Sequence, residues 1–340
     1  MNMQPEVSII MTAYNTEAYI AKAIETVLAQ SYENIELVVV DNGSVDRTRE
    51  IIQSFQAKDK RVNLVVNQKN LGVSGGFNSA LRAAKGKWVA IVDSDDWIEP
   101  QRFARLLQVA SAESADMIAD DLYLIRDGEV SPWSTLICQS GESITQVTHI
   151  DTVYFVATDI YRKQCLHLGL TKPLIKREFL LHHGLEFNNN ISVIVDFCLY
   201  LECLLKGARY ILVPEPYYYY RSRSSSMVAS YDKIKNLQQC SDITSQFLKR
   251  EEVKNNPQLK QALLRNLGVL QRNLAYERVV QPLKHKKWLT GVQQMVKNPY
   301  FFWHFMLEIP SIVERRIQYY ILGNTTVYDM LPRRNKSLAS

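Results

Sequence analysis

Three carboxylates fall within four residues at Asp93-Ser94-Asp95-Asp96. Acids this close repel one another unless something positive balances them. A divalent cation carrying a diphosphate would do so, because hard cations take carboxylate and phosphate oxygens together. The residues before them, Lys87-Trp88-Val89-Ala90-Ile91-Val92, read as a short buried parallel strand. Acids at the carboxyl end of such a strand sit where open α/β sheets bind ligands. Taken alone, the run also reads as an acidic turn before a helix that starts near Pro100.

More polar groups follow the strands upstream. Asp41 closes the apolar run Ile35–Val40, and Asn42-Gly43-Ser44-Val45-Asp46 comes next. Asp46 or Ser44 has the position of a helix cap, whereas Asp41 need not cap anything. Thr12-Ala13-Tyr14-Asn15 follows Val7–Met11 and offers an aromatic ring beside which a base could lie. Asn70-Leu71-Gly72-Val73-Ser74-Gly75-Gly76 enters a helix with small residues, which leaves backbone N–H groups open to phosphate. No Gly-Lys-Ser/Thr follows, so this is not a P-loop.

These groups need a scaffold that brings strand ends together. Strand patterns at Val7–Met11, Ile35–Val40, Val62–Val66 and Lys87–Val92 alternate with helical spacing over Glu17–Gln30, Asp46–Phe55 and Val73–Ala84. Asp116–Ala119 reads as a further strand. Such alternation predicts an α/β fold with a mainly parallel, mixed sheet between helices. Residues 232–322 read mostly as helix, a C-terminal extension to that fold.

Tyr14-Asn15, Asp41 to Asp46, Asn70-Leu71-Gly72 and Asp93 to Asp96, in this order and spacing, resemble the family 2 glycosyltransferases, which have the GT-A fold. The resemblance is strong over about the first 110 residues and is of the exopolysaccharide (succinoglycan) type. It implies a nucleotide-sugar site in which Asp41 accepts a hydrogen bond from the base. Asp46, Asn70 and the Ala13–Asn15 loop would hold the nucleotide, with Asp93 and Ser94 near the ribose or the sugar. It also implies that Asp95 binds Mg2+ or Mn2+. Thr12 departs from the family, where many members have Pro. Gly76-Phe77 departs too, where many have Ala-Arg, and so removes an Arg that would reach phosphate.

An inverting transferase needs a base to take the acceptor's proton. In the resembled family it comes from a Glu-Asp pair before a helix; Asp196 matches the Asp, and Val195 replaces the Glu. Asp196 also has the position of a helix N-cap or first-turn acid, but the strand and Tyr-x-Tyr-Arg-like element that follow favour the base. Leu212–Tyr217 and Tyr220-Arg221 resemble the strand that closes the domain. Arg221 and Arg223 lie at the Ser-rich loop Ser222–Ser226, where they would reach the diphosphate or remain solvated. The segment Tyr161–Phe179 resembles an acceptor-side region, and His182 and His183 read as structural or surface residues.

The 340 residues, 46% hydrophobic and 22% charged, describe a globular chain with no 18-residue apolar run. The opening Met1–Glu6 lacks the basic-then-apolar pattern of a secretory signal. Five scattered cysteines without C-x-x-C spacing indicate free thiols in a reducing cytoplasm. Residues 221–340 hold 20 Lys and Arg against 8 Asp and Glu, while the rest of the chain is net acidic. An anionic partner for the tail follows. No nucleic-acid motif is present, so none is expected to bind there. The apolar positions Phe301 to Met306, Ile309, Ile312, Val313 and Ile317, interrupted by Pro310 and flanked by Glu314-Arg315-Arg316, fit a membrane interface. They fit packing on the catalytic domain or a dimer contact equally well. Lys284-His285-Lys286-Lys287-Trp288 admits the same readings.

The expected organisation is a GT-A domain over residues 1–225, with nucleotide-sugar binding in 1–110 and the acceptor side in 111–225, then a basic helical region over 226–340. The expected activity is inverting, metal-dependent sugar transfer in bacterial surface-polysaccharide assembly. The donor would be a UDP-linked sugar and the acceptor a glycan or polyprenyl-diphosphate-linked glycan. The place would be the cytoplasm, with peripheral contact at the inner face of the membrane. Two other readings stand beside it: a non-catalytic nucleotide-sugar-binding or scaffold protein with the same fold, favoured by Val195 and Phe77, and a sugar nucleotidyltransferase. The latter usually carries a Gly-rich, basic loop after the first strand, which Thr12–Asn15 is not.

Overall fold

The computed structural model describes residues 4–161, 164–223 and 232–298, with single positions between 300 and 317. Strands β1 (Val7–Ala13), β2 (Ile35–Asp41), β3 (Val62–Val66) and β4 (Trp88–Ile91) alternate with helices α1 (Ile20–Leu28), α2 (Thr48–Gln56) and α3 (Gly72–Ala83). β5 (Trp97–Ile98), α4 (Arg102–Ala112), β6 (Met117–Arg126), β7 (Ser134–Thr135), α5 (Leu136–Ser140), β8 (Thr148–Ile150) and α6 (Thr152–Ala157) follow. Then come β9 (Leu174–Lys176), α7 (Arg177–His182), α8 (Val195–Leu205) and β10 (Tyr210–Ser222). All join one sheet in the order β3-β2-β1-β4-β9-β6-β10-β5, with β7 added on β6 and β8 on β10.

The sheet is parallel over β3-β2-β1-β4 and between β6 and β10. β9 runs antiparallel between β4 and β6. β1 is the hinge of the site: Ala13 pairs with Asp41 on one side, and Ile10 pairs with Ile91 on the other. Both acidic strand ends therefore emerge at the same edge of the sheet. β1 and β2 are almost wholly buried, as their unbroken Val, Ile and Leu runs require between two helical layers.

β6 is longer than the Asp116–Ala119 pattern indicated. Asp120 and Asp121 interrupt the apolar run, yet both are buried inside the strand. Asp120 is paired with the fully buried Arg102 (Nη2–Oδ1 2.8 Å), and Asp121 accepts the backbone N–H groups of Leu122 and Ile137. Paired and bonded acids are tolerated where lone ones are not. β10 bulges between Val213 and Tyr218, where Pro214 and Pro216 cannot donate to the ladder.

The C-terminal region is helical: α9 (Lys233–Phe247), α10 (Glu251–Lys254), α11 (Pro257–Lys284) and α12 (Trp288–Lys297). The chain forms two compact units, Met1–Arg223 with Phe247–Asn266, and Ser224–Gln246 with Leu267–Ser340. Within the second, Lys233 pairs with Glu277, and Phe301 stacks near Tyr276 (ring centroids 6.1 Å). Trp303, His304, Pro310, Ile312, Arg315 and Arg316 of the expected apolar stripe, and Ser224–Ser226 of the Ser-rich loop, lie outside the described residues.

Candidate active site

Around β1 and β2 the two loops clasp each other through their own backbone. Asn15 adopts φ +52°, a left-handed turn that Asn tolerates. Its N–H donates to Ser44 Oγ (3.1 Å), and its Oδ1 accepts from Val45 N (3.0 Å). Asp46 accepts from Glu17 N (3.1 Å) and Thr48 N (3.0 Å); burial would raise its carboxyl, but the Thr48 side chain and these N–H groups together hold it below the usual range. Asp46 therefore fastens one loop to the other. Ala13 is buried and Tyr14 is 44% exposed, so the ring has a free face.

Asp41 is fully buried. Its Oδ1 accepts from Ser44 N (3.0 Å), and its Oδ2 pairs with Arg49 Nε (2.6 Å). Arg49 is half exposed, so the one side chain covering Asp41 on that side is itself open to solvent. Asn42, which the sequence did not single out, organises the next loop. It donates to Asn70 Oδ1 and Gly72 O and accepts from Asn67 and Leu71 N. Asn70 Oδ1 in turn receives Gly72 N (2.8 Å) at the start of α3. Gly76 lies so close to β1 that a Cβ there would meet Thr12 Oγ1 at 2.1 Å.

Phe77 does not face a ligand. It is buried and stacks on Phe187 (4.9 Å), while Asn78 exchanges two hydrogen bonds with the Phe187 backbone. The position where many family members have Arg here ties α3 to the segment leading into α8.

The acidic run after β4 is balanced, carboxylate by carboxylate, by side chains from later in the chain. Asp96 is fully enclosed; it accepts from Tyr218 Oη (2.8 Å) and Arg221 N (2.8 Å). Burial, with Asp95 and Asp93 adding, pushes its carboxyl well above the usual range. Asp95 meets Arg223 (Nη2–Oδ2 2.5 Å), and its carbonyl accepts from Arg221 Nε (2.8 Å). Burial and Asp93 raise the Asp95 carboxyl, and Arg223 opposes them. Ser94 is buried between them. Arg221 is fixed against the rings of Tyr19 (5.0 Å) and Trp97 (4.8 Å) and on Asp127 (3.2 Å). Of the two arginines, Arg223 is therefore the one on the carboxylate proposed for the cation.

Lys172 joins the two halves. Its Nζ lies 3.0 Å from Asp93 Oδ2 and 2.6 Å from Asp196 Oδ2, and the residue is 4% exposed. Burial would lower its pKa, but the two carboxylates outweigh this and raise it well above the ordinary value. Burial raises the Asp196 carboxyl; Lys172 opposes and Asp93 adds. Asp196 Oδ1 is buried with no hydrogen-bond partner. Asp196 lies in the first turn of α8 without capping it. The residue before that helix, Ile194, sits at φ +50°, a left-handed conformation that a β-branched side chain resists. Arg102 donates to the Lys172 carbonyl (2.5 Å) and lies over the Tyr218 ring (5.1 Å), so its buried pair with Asp120 underpins both bridges.

The structure thus brings Asp93, Ser94, Asp95, Arg221, Arg223 and Asp196 together, and places Ala13, Tyr14, Asn15, Asp41, Asp46 and Asn70 along the neighbouring strand ends. Lys172, Tyr218 and Asp127 are contributed by distant segments, which no local spacing reveals. His182 and His183 form a ring pair beside Phe179, away from this cluster's contacts. No group of three His, Cys, Asp or Glu among the described residues forms a complete metal cage. A cation held by one carboxylate and a substrate diphosphate needs none, and Asp95, now neutralised by a guanidinium, fits that role.

A strand-end acidic cluster on a mixed α/β sheet suits a diphosphate held through a cation, and the comparisons supply the class. Residues 8–164 match the model of glycosyl transferase family 2, and the chain belongs to that family. It is 26% identical to succinoglycan biosynthesis protein ExoO of Rhizobium meliloti, over 92% of this chain and 87% of that protein. It is 30% identical to succinoglycan biosynthesis protein ExoU of the same organism, over 67% of this chain and 66% of that one. The crystal structure of S. aureus TarS 1-349 with UDP-GlcNAc superposes with TM-score 0.60 at 19% identity, over 85% of this chain and 89% of that one. Mannosyltransferase PcManGT from Pyrobaculum calidifontis, in complex with GDP-Man and Mn2+, gives TM-score 0.57 at 17% identity, over 98% and 89%. The fold is GT-A, and the protein is a glycosyltransferase.

Proposed function

We propose that this glycosyltransferase moves one sugar, with inversion, from a UDP-linked donor to a glycan or polyprenyl-diphosphate-linked acceptor in exopolysaccharide assembly. A lipid-linked acceptor would place it at the inner face of the cytoplasmic membrane. The reading rests above all on one observation: Lys172 holds Asp93 and Asp196 on a single ammonium, with Asp95 two residues from Asp93. A donor-side acid and a candidate base thus meet at one point.

Asp41, behind Arg49, would accept from the base, with the Tyr14 ring beside it and Asp46, Asn15 and Asn70 shaping the loops. Asp93 and Ser94 would lie along the ribose or the sugar. Asp95 would hold Mg2+ or Mn2+, which when bound neutralises charge developing on the leaving diphosphate. Arg223, displaced from Asp95, would pair with phosphate oxygens, which suit a planar guanidinium. Asp196 would take the acceptor hydroxyl's proton at its unpartnered Oδ1. Its raised pKa makes it a stronger base than an ordinary Asp, and Lys172 keeps it ionised.

The test is nucleotide release from a panel of nucleotide sugars with an acceptor glycan, for wild type and Asp196→Asn. The variant keeps shape and donor affinity but cannot take the proton. Transfer should fall about a hundredfold or more, with calorimetric donor binding near normal. Wild-type transfer by the Asn variant would move the base elsewhere. Donor binding by wild type without any transfer would favour the non-catalytic reading.

A further inference from the structure

Helix α12 is turned with its apolar side outward. Leu289, Val292 and Val296 are 83%, 56% and 79% exposed and lie along one stripe, which Tyr300 continues at 60%. Trp288 flanks the stripe at 65%. The helix packs through Gly291, where a Cβ would meet Leu283 Cδ2 at 2.3 Å. Its polar residues Thr290, Gln294 and Lys297 instead line a cavity of about 550 Å³ with Arg278 and Asn298. A water-facing helix normally presents the reverse, so the outer stripe lacks a cover among the described residues. Phe302, Phe305 and Met306 extend the exposed apolar surface at 55%, 40% and 65%.

The charge around this stripe selects the cover. Between Glu277 and Glu308 there is no acid, and Arg278, Lys284, Lys286, Lys287 and Lys297 are all basic. A second copy would bring the same cations face to face, which disfavours self-association. An apolar stripe with Trp at its margin and Lys286 and Lys287 at its N-terminal end is the pattern of a helix lying in an anionic lipid interface. No helix among the described residues is long and apolar enough to cross a membrane, so contact would be in the plane.

We infer that the outer face of α12, Leu289-Val292-Val296, with Lys286 and Lys287 just before it and Tyr300 just beyond it, is a docking surface for anionic phospholipid. This deepens the proposed membrane location but does not depend on the transfer chemistry, because the surface belongs to the second unit alone.

The test is co-sedimentation of the full chain with vesicles of phosphatidylcholine alone or of equimolar phosphatidylcholine and phosphatidylglycerol, without donor. Wild type should bind the mixed vesicles, and added salt should weaken the binding. Leu289→Glu with Val296→Glu, both at solvent-exposed positions, should reduce that binding about tenfold or more; Lys286→Glu with Lys287→Glu should reduce it too. Donor binding, measured by calorimetry in each variant, should stay unchanged. Three outcomes would overturn the inference. One is failure of wild type to bind mixed vesicles. Another is equal binding by the Leu289/Val296 double variant. The third is a wild-type dimer that this variant converts to monomer, which would make the cover a second copy. Failure of donor binding in wild type would instead strike at the transferase reading and leave this one standing.

Discussion

Asp95 and Lys172 show how single side chains set the chemistry. Asp95→Ala should abolish the Mn2+-dependent part of nucleoside diphosphate binding, because Asp93 is tied to the buried Lys172 and Asp96 to Tyr218, whereas the partner of Asp95 is Arg223, a guanidinium that a diphosphate can draw away. Calorimetry with and without Mn2+ checks this, and unchanged metal dependence in a folded variant would refute it. With Asp196 as the proposed base, the acid limb of the rate profile should follow its titration. The ionised form is active, so the rate should fall as pH drops through a pKa above the ordinary Asp value. Lys172 lowers that pKa, so Lys172→Met should move the limb to higher pH. Breaking a buried pair costs about 3–5 kcal/mol, so folding of the variant is first confirmed by circular dichroism. A limb at the same pH in both proteins would show that Asp196 is not the titrating group. The ion pairs of Lys172 escaped the sequence because its partners lie 79 residues before it and 24 after; Asp41 was legible because it ends β2, and Asp93 and Asp95 because they follow the apolar β4 within four residues.

Among elements, the strands with unbroken β-branched runs were readable to within a residue or two, since burial on both faces permits little else. β6 was cut short by its buried acids, and the three-residue β9 carried too little pattern to be read at all. The start of α8 is where local preference and tertiary demand conflict. Ile194 holds a left-handed conformation that costs an ordinary residue about 1–2 kcal/mol, one residue before the helix that presents Asp196. Strain of this kind persists where neighbours over-determine it. Ile194→Gly should therefore raise the urea midpoint, by less than the full strain because Gly loses more chain entropy. A lowered midpoint would mean that the Ile194 side chain contributes more by packing than its backbone costs.

At the scale of the molecule, the division of charge was plain from composition: an acidic body carries the site, and a basic helical region follows. Composition could not show which way α12 faces, since an amphipathic stripe reads the same whether it points in or out. Its outward turn has a kinetic consequence. An enzyme adsorbed along that face meets a lipid-linked acceptor by lateral diffusion in a plane, not by collision from bulk. Its turnover should then follow the mole fraction of acceptor in the vesicle and decline as inert lipid is added at constant total acceptor. Measuring transfer across such a surface-dilution series, at fixed donor, gives that decline for wild type; with the Leu289/Val296 double variant and a water-soluble acceptor the rate should be indifferent to added lipid.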